Sequence, residues 1–205
     1  MMQPNLQVVA AQVRQIARQE ILPRFAKVGF ALKQDGSLLT EADLATDQRI
    51  RSFLRQYYPG IACLSEEMEP AEQERLLRES TALWCLDPLD GTSNFAAGIP
   101  LFAVSLALFQ CGEVVMALTY DPIRDELFTA QKGQGAWLNG QRLHCQPSDF
   151  QMRNAVALVD FKRLSPRLRH ALMEGCPFGS QRNLGSCVLE WAWMAANRGH
   201  LYLHG

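Results

Sequence analysis

The sequence lacks an excess of charge of either sign: 20 Lys and Arg stand against 21 Asp and Glu, a formal net charge of -1. Bulk attraction to polyanions is thereby excluded, and a nucleic acid polymer is not expected as a partner. It also lacks any C-x-x-C pair. The six cysteines, at positions 63, 85, 111, 145, 176 and 187, are too scattered for a zinc site or a small disulfide framework. Cys63, Cys85 and Cys187 lie inside apolar runs, which predicts reduced thiols packed as small hydrophobes and a cytoplasmic protein. There is no leader-like stretch, because Arg14, Arg18 and several Gln residues interrupt the apolar positions near the N-terminus. The longest apolar run, residues 101–118, is broken by Gln110, Gly112 and Glu113, so it cannot span a membrane and reads as two strands joined by a tight turn. No repeat, low-complexity tract or linker divides the chain.

What is present is an ordinary globular composition, 205 residues with 48% hydrophobic and 20% charged, enough to bury a sizeable core. Val9, Val13, Ile16 and Ala17 recur at helical spacing, and Pro23 marks a stop. A second helix is predicted over 41–57, capped by Thr40, with Leu44, Ile50, Phe53 and Leu54 as its apolar face. A short buried strand over 61–64 and an exposed helix over 71–79 follow. Strands are predicted at 83–86, 102–109, 114–120, 126–130, 136–138 and 155–159, with Asn139-Gly140 as a hairpin turn. Helices over 165–174 and 186–197 precede a final strand over 201–203. That strand needs neighbours that nothing after it supplies, so the chain is expected to end early.

Acidic residues gather in three segments: Leu39-Thr40-Glu41-Ala42-Asp43, Leu64-Ser65-Glu66-Glu67, and Leu86-Asp87-Pro88-Leu89-Asp90-Gly91-Thr92-Ser93-Asn94. In the third, an apolar strand delivers Asp87 to a strand end, where ligands of α/β sheets tend to bind. Pro88 stiffens the turn, and Asp90 and the Leu89 carbonyl can face the same space. Two carboxylates and a carbonyl are hard oxygen donors, suited to Mg²⁺ or Mn²⁺. Gly91, Thr92 and Ser93 would open a helix whose N-terminus can cradle phosphate; the alternative is a simple capped turn. Glu66 directly after its own short strand could share the metal site, or Glu66 and Glu67 could be a solvated pair. Asp43 is either a helix cap or a participant in the chemistry.

The segments 38–43 (LLTEAD), 65–67 (SEE), 86–100 (LDPLDGTSNFAAGIP) and 182–186 (RNLGS) together resemble the inositol monophosphatase family, and in the family's order. The resemblance implies Mg²⁺-dependent, lithium-sensitive hydrolysis of a small phosphorylated alcohol, inositol 1-phosphate first. Bisphosphate nucleotides, fructose 1,6-bisphosphate and histidinol phosphate are alternatives. From another class, the alternative is a non-catalytic metal- or phosphate-binding relative or an inactive fragment. It implies Glu66, Asp87, Asp90 and the Leu89 carbonyl as metal ligands, and Asp43 with Thr92 as the couple that activates water. Gly91, Thr92, Ser93, Arg182 and Glu190 are implied as substrate contacts. Glu67 has a secondary role, and Lys33 resembles a mobile-loop lysine. His204 stands where some inositol-specific members carry an acidic residue, although a one-residue slip or a plain surface histidine would also account for it.

The family continues to a W-D-x-A-A-G motif whose Asp completes a second metal site; no residue here matches it, so weak second-metal binding is expected. The expected fold is an α/β (α+β) layered α-β-α-β-α sandwich of the sugar-phosphatase type with its C-terminal part incomplete. Residues 1–150 would form the half carrying the metal and phosphate motifs and residues 151–205 the start of a second half. A homodimer is expected, as is the absence of a membrane partner.

Overall fold

Residues 4–27, 29–32, 38–146 and 151–205 are described in a computed structural model. The first helix, α1 (Leu6–Glu20), is capped by the Asn5 side chain, which accepts from the N–H groups of Gln7 and Val8. Leu6, Val9, Ala10, Val13, Ile16 and Ala17 form its buried stripe, the three- and four-residue spacing of a helix lying on a core. A small antiparallel pair, β1 (Phe30–Leu32) and β2 (Leu38–Thr40), leads into α2 (Glu41–Tyr57). Thr40 and Asp43 close a reciprocal capping box at the start of α2. Its bounds are those predicted, but its face differs: Leu44 is 50% exposed, while Asp43, Thr46 and Asp47 are buried. Helical periodicity runs from Ala42 through Ile50, Phe53 and Leu54, and Leu44 falls on the other side of the axis.

β3 (Ala62–Ser65) and β4 (Ala82–Asp90) pair in parallel, joined by the crossover helix α3 (Pro70–Glu79). After the short helix α4 (Thr92–Ala96) the sheet continues antiparallel through β5 (Ala103–Gln110), β6 (Glu113–Asp121), β7 (Glu126–Gln131), β8 (Gly135–Leu138) and β9 (Gln141–Arg142). Two of its turns are as the sequence predicts. Cys111 and Gly112 both have positive φ between β5 and β6, and so do Asn139 and Gly140 between β8 and β9, the backbone of a two-residue hairpin.

The rest of the chain builds a second, all-parallel sheet in the order β11-β10-β12, from β10 (Val156–Val159), β11 (Ser180–Arg182) and β12 (Leu201–Leu203). Helix α5 (Pro166–Gly175) lies between β10 and β11 in the chain, and α6 (Cys187–Ala195) between β11 and β12.

Alternation along the strands sorts the layers. Val104, Leu106 and Leu108 on β5 and Met116, Leu118 and Tyr120 on β6 point into the core beneath α1 and α2. Ser105, Ala117 and Thr119 point the other way, toward Val188, Trp191 and Ala192 of α6 across an apolar groove of about 300 Å³. Helix α6 also packs on β12, and Leu172 of α5 closes the far side of the second sheet. The order is helix pair, large sheet, α6, small sheet, α5, the layered sandwich the sequence predicts.

The thiols are less buried than predicted: all six are free, Cys63, Cys85 and Cys187 are half-buried, and Cys111, Cys145 and Cys176 are exposed. Apolar neighbours in sequence place a residue in a strand, but two of these positions face away from the main core. Burial still pushes the Cys63 thiol up to about 12, so it stays protonated and inert. No helix among the described residues is long and apolar enough to cross a membrane.

Candidate active site

The D-P-L-D segment forms the end of β4 and carries an irregularity that decides where its carboxylates go. Side chains three apart on a regular strand lie on opposite faces. Here Asp87 pairs with Ser105 and Asp90 with Ala103, so two residues of β4, Pro88 and Leu89, oppose the single Val104. The extra residue restores parity: Ser105 and Ala103 share a face, and so do Asp87 and Asp90. Pro88, with no N–H to lose, tolerates the interrupted ladder. Leu89 turns its side chain into the core, where it is 1% exposed. Its N–H donates to Asp87 Oδ1 at 3.1 Å, an Asx turn that locks the first carboxylate.

Glu66 enters from the neighbouring strand. Its N–H donates to the Leu86 carbonyl at 3.0 Å, extending the parallel ladder one residue past β3. Its carboxyl group stands beside that of Asp87. The Asp87 carboxyl is held well above the usual range, first by the protein packed around it, then by the negative charges of Glu66 and Asp90. Asp90 is raised too, chiefly by burial, against which hydrogen bonds from Ser186 and Val188 work. Glu67 donates its N–H to Ser65 Oγ at 3.3 Å.

Beyond Asp90 the chain turns at Gly91, whose φ of +90° opens α4. A Cβ at this position would lie 2.8 Å from the Leu101 carbonyl oxygen, so close approach as well as backbone conformation requires glycine. The Thr92 hydroxyl sits 3.1 Å from Asp43 Oδ1 and 2.9 Å from the Leu89 carbonyl oxygen. Asp43 is 1% exposed, and its Oδ2 accepts from the Thr40 N–H and hydroxyl. Burial raises its pKa, and the donated hydrogen bonds offset part of that. The capping box of α2 therefore delivers a buried carboxylate to the first residue of α4, 49 positions on. Ser93 is exposed on the first turn of α4.

Arg182, Glu190 and His204 make contacts within the protein. Arg182 is exposed and its guanidinium folds back onto its own strand, donating to Ser180 Oγ and the Gln181 carbonyl. Glu190, expected against substrate, is 2% exposed and accepts from the Leu184 N–H at 2.7 Å. An acid on an otherwise apolar helix face must be bonded inside the protein or pay for its burial, and here it is bonded. His204 lies 3.8 Å from an oxygen of Asp160. Lys33 lies outside the described residues. Reading the sequence singled out neither Asn94, whose side chain donates to Leu101 and Leu184, nor the pairing of Asp90 with Ser186. The Asn in D-G-T-S-N and the Ser in R-N-L-G-S are the local signs, while Leu184 lies 90 residues from Asn94 and Ser186 lies 96 from Asp90.

The donor set suits a hard divalent cation. Asp87 is pressed by two further carboxylates rather than met by a basic side chain, and the Leu89 carbonyl adds a neutral oxygen nearby. Among the described residues no three His, Cys, Asp or Glu side chains are close enough to hold an ion as they stand.

The model of the inositol monophosphatase family matches residues 2–205. An inositol-1-monophosphatase of Mesorhizobium japonicum is 35% identical over 182 residues, covering 82% of this chain and 63% of that protein. The Nus factor SuhB of Pasteurella multocida is 34% identical over 174 residues, covering 82% of this chain and 62% of that protein. Among solved structures, the extragenic suppressor protein suhB of Bartonella henselae superposes with a TM-score of 0.81 at 29% identity, covering 94% of this chain and 75% of that one. The chain thus spans somewhat under two thirds of the length of these curated relatives. On the family model, the relatives and the shared architecture, the chain belongs to the inositol monophosphatase family.

Proposed function

We propose that this chain carries the reactive half of a Mg²⁺-dependent phosphomonoesterase that hydrolyses a small phosphorylated alcohol, inositol 1-phosphate first, to the alcohol and phosphate. The observation that carries the reading is the bulge that puts Asp87 and Asp90 on one face beside Glu66, with the Thr92–Asp43 pair adjoining. Glu66, Asp87, Asp90 and the Leu89 carbonyl would hold the metal. When bound, Mg²⁺ lowers the pKa of coordinated water and offsets charge on the leaving oxygen.

The protein's own groups do the rest. Asp43 Oδ1 draws the Thr92 proton, which readies Thr92 Oγ1 to accept a proton from the attacking water. Burial raises the affinity of Asp43 for that proton, as a base in a proton relay needs. The first turn of α4 leaves N–H groups without intrahelical partners; those of Thr92 and Ser93, joined by that of Gly91 when it leaves the Asp90 carboxyl, would donate to phosphate oxygens. Arg182 would reach substrate only by leaving its contacts on β11. Free thiols and the family's habits support a cytoplasmic homodimer with lithium-sensitive activity.

A second reading is favoured by the relative that bears the name Nus factor rather than phosphatase. In that case the site binds phosphate or metal without turnover. Phosphate release from inositol 1-phosphate, a 3',5'-bisphosphate nucleotide, fructose 1,6-bisphosphate and histidinol phosphate, with and without Mg²⁺ and lithium, decides between them. Mg²⁺-dependent release that falls in Asp87→Asn by about 100-fold or more, beyond the roughly 10–100-fold typical of losing an outer contact to a ligand, with the melting temperature retained, is the expected result. Equal turnover by that variant would remove the metal assignment, and silence on all four substrates would favour the binding reading.

A further inference from the structure

The geometry points to Asn94 and Glu190 as positioning residues: together they clamp Leu184, and through it set the donors that orient the carboxylate of Asp90. This rests on the reading of Asp90 as a metal ligand and extends it to residues that touch neither metal nor substrate.

The clamp grips both sides of one peptide residue. Asn94 Nδ2 donates to the Leu184 carbonyl at 2.7 Å and to the Leu101 carbonyl at 2.8 Å, so both amide hydrogens are committed and the side chain has one orientation. Glu190 Oε1 accepts from the Leu184 N–H at 2.7 Å, reaching back from the helix that the loop enters. Gly185 follows with φ of +71°, and a Cβ there would lie 3.0 Å from Asn94 Nδ2, so the loop rests directly on the asparagine. The Gly185 N–H is satisfied in turn by Asn183 Oδ1 at 2.9 Å.

Two and four residues beyond Leu184 stand the groups that hold Asp90. The Ser186 hydroxyl donates to Asp90 Oδ2 at 2.5 Å and the Val188 N–H donates to the same oxygen at 2.9 Å. Both donors engage the same oxygen, Oδ2, and together they hold the carboxylate against the start of α6. Asp90 thus serves as an external cap of α6, and α6 is the orienting shell of Asp90. A buried acid on an apolar helix face costs stability, and a hydrophobic residue would pack there at lower cost. What Glu190 supplies, and leucine would not, is an acceptor at a fixed place for the Leu184 N–H and, from β12, for the Tyr202 hydroxyl.

Such outer contacts to a metal ligand are typically worth about 10–100-fold in metal affinity. The test uses Asn94→Ala, Glu190→Leu and Glu190→Gln, with Mn²⁺ affinity read from the free-ion EPR signal and backbone hydrogen exchange read on the metal-free protein. Glutamine keeps an acceptor oxygen of the same reach. Asn94→Ala and Glu190→Leu should weaken Mn²⁺ binding by about tenfold or more and speed exchange at 183–190, leaving β5 and β6 unchanged. Glu190→Gln should stay within about threefold of the parent by the same reasoning. Equal losses in the glutamine and leucine variants would overturn the clamp, as would an unchanged Mn²⁺ affinity in Asn94→Ala. Failure of the underlying site reading shows itself differently, as Mn²⁺ binding that Asp87→Asn leaves intact whatever the exchange data show.

Discussion

The seven-stranded sheet is built around a continuous apolar core in which Trp84, Leu86, Leu89, Phe95, Phe102, Leu106 and Tyr120 meet the buried faces of α1 and α2. The three-stranded sheet has a smaller cluster of Ala157, Val159 and Leu164 on its α5 side, flanked by partly exposed Phe161, Leu172 and Phe178, with Leu158 buried on its other face. Where apolar area is scarce, directional contacts do more of the fastening. Asn94 and Asp90 hold the 184–188 segment, and Arg198 forms a two-bond fork with Glu126 on β7. Trp193 of α6 is flanked by the guanidinium groups of Arg124 and Arg198, each 5.2 Å from its ring centre. Of the carboxylates of the proposed metal site, Asp90 lies at this seam, bonded to Ser186 and Val188. Chemistry at a seam can be tuned by small shifts of the weaker half, which a carboxylate sealed inside the large core could not use.

The sharpest way to test the contrast is to make a cavity in each core. Leu106→Ala, at a position 1% exposed in the middle of β5, should cost about 3 kcal/mol and lower the single melting transition by on the order of 10 °C. Gly91→Ala strikes the seam itself. With φ of +90° and a carbonyl oxygen 2.8 Å from the new Cβ, it should cost about 2 kcal/mol and weaken phosphate inhibition more than its stability loss explains. Val159→Ala, in the small core, should cost about 1.5 kcal/mol but act locally. Hydrogen exchange should quicken in β10, β11 and β12 and not in β5 or β6. If exchange rises evenly through both sheets, the division into 1–150 and 151–205 is not a division of stability.

Much of this was legible in the sequence because it is local. The Thr40 cap gave the start of α2, the break at Gln110, Gly112 and Glu113 and the Asn139-Gly140 step gave two hairpins, and the D-P-L-D-G-T string marked the strand end that gathers carboxylates. What escaped has two physical causes. Short elements carry little periodicity: β1 and β2 are three residues each, and β11 is Ser-Gln-Arg, polar residues at a sheet edge. Nonlocal pairings leave no trace in a window of sequence, so the Asn94–Leu184 and Asp90–Ser186 bonds could not be seen. The parity of Asp87 and Asp90 is a third case. Their spacing alone puts them on opposite faces, and only the pairing with β5 reveals the bulge.

The smallest effect comes from the fork that ties α6 to the large sheet, and its pH dependence sharpens the contrast. Arg198 donates to Glu126 at 2.6 and 2.7 Å, and this holds the glutamate below its ordinary range. A carboxylate with a depressed folded-state value contributes stability above its unfolded value, near 4.3, and loses it as pH falls through the folded one. Glu126→Gln should therefore cost about 1 kcal/mol at pH 7, since paired guanidinium and carboxylate groups with partial burial exceed an ordinary surface pair. The gap between the two proteins should narrow once the pH drops below about 4.3, and shrink at neutral pH when salt is raised. Exchange rates at α6 and β12, followed from pH 7 downward, measure it. A gap that stays constant with pH would mean that the amide loses packing rather than charge. The small sheet would then depend on shape at this contact, as the large one does in its core.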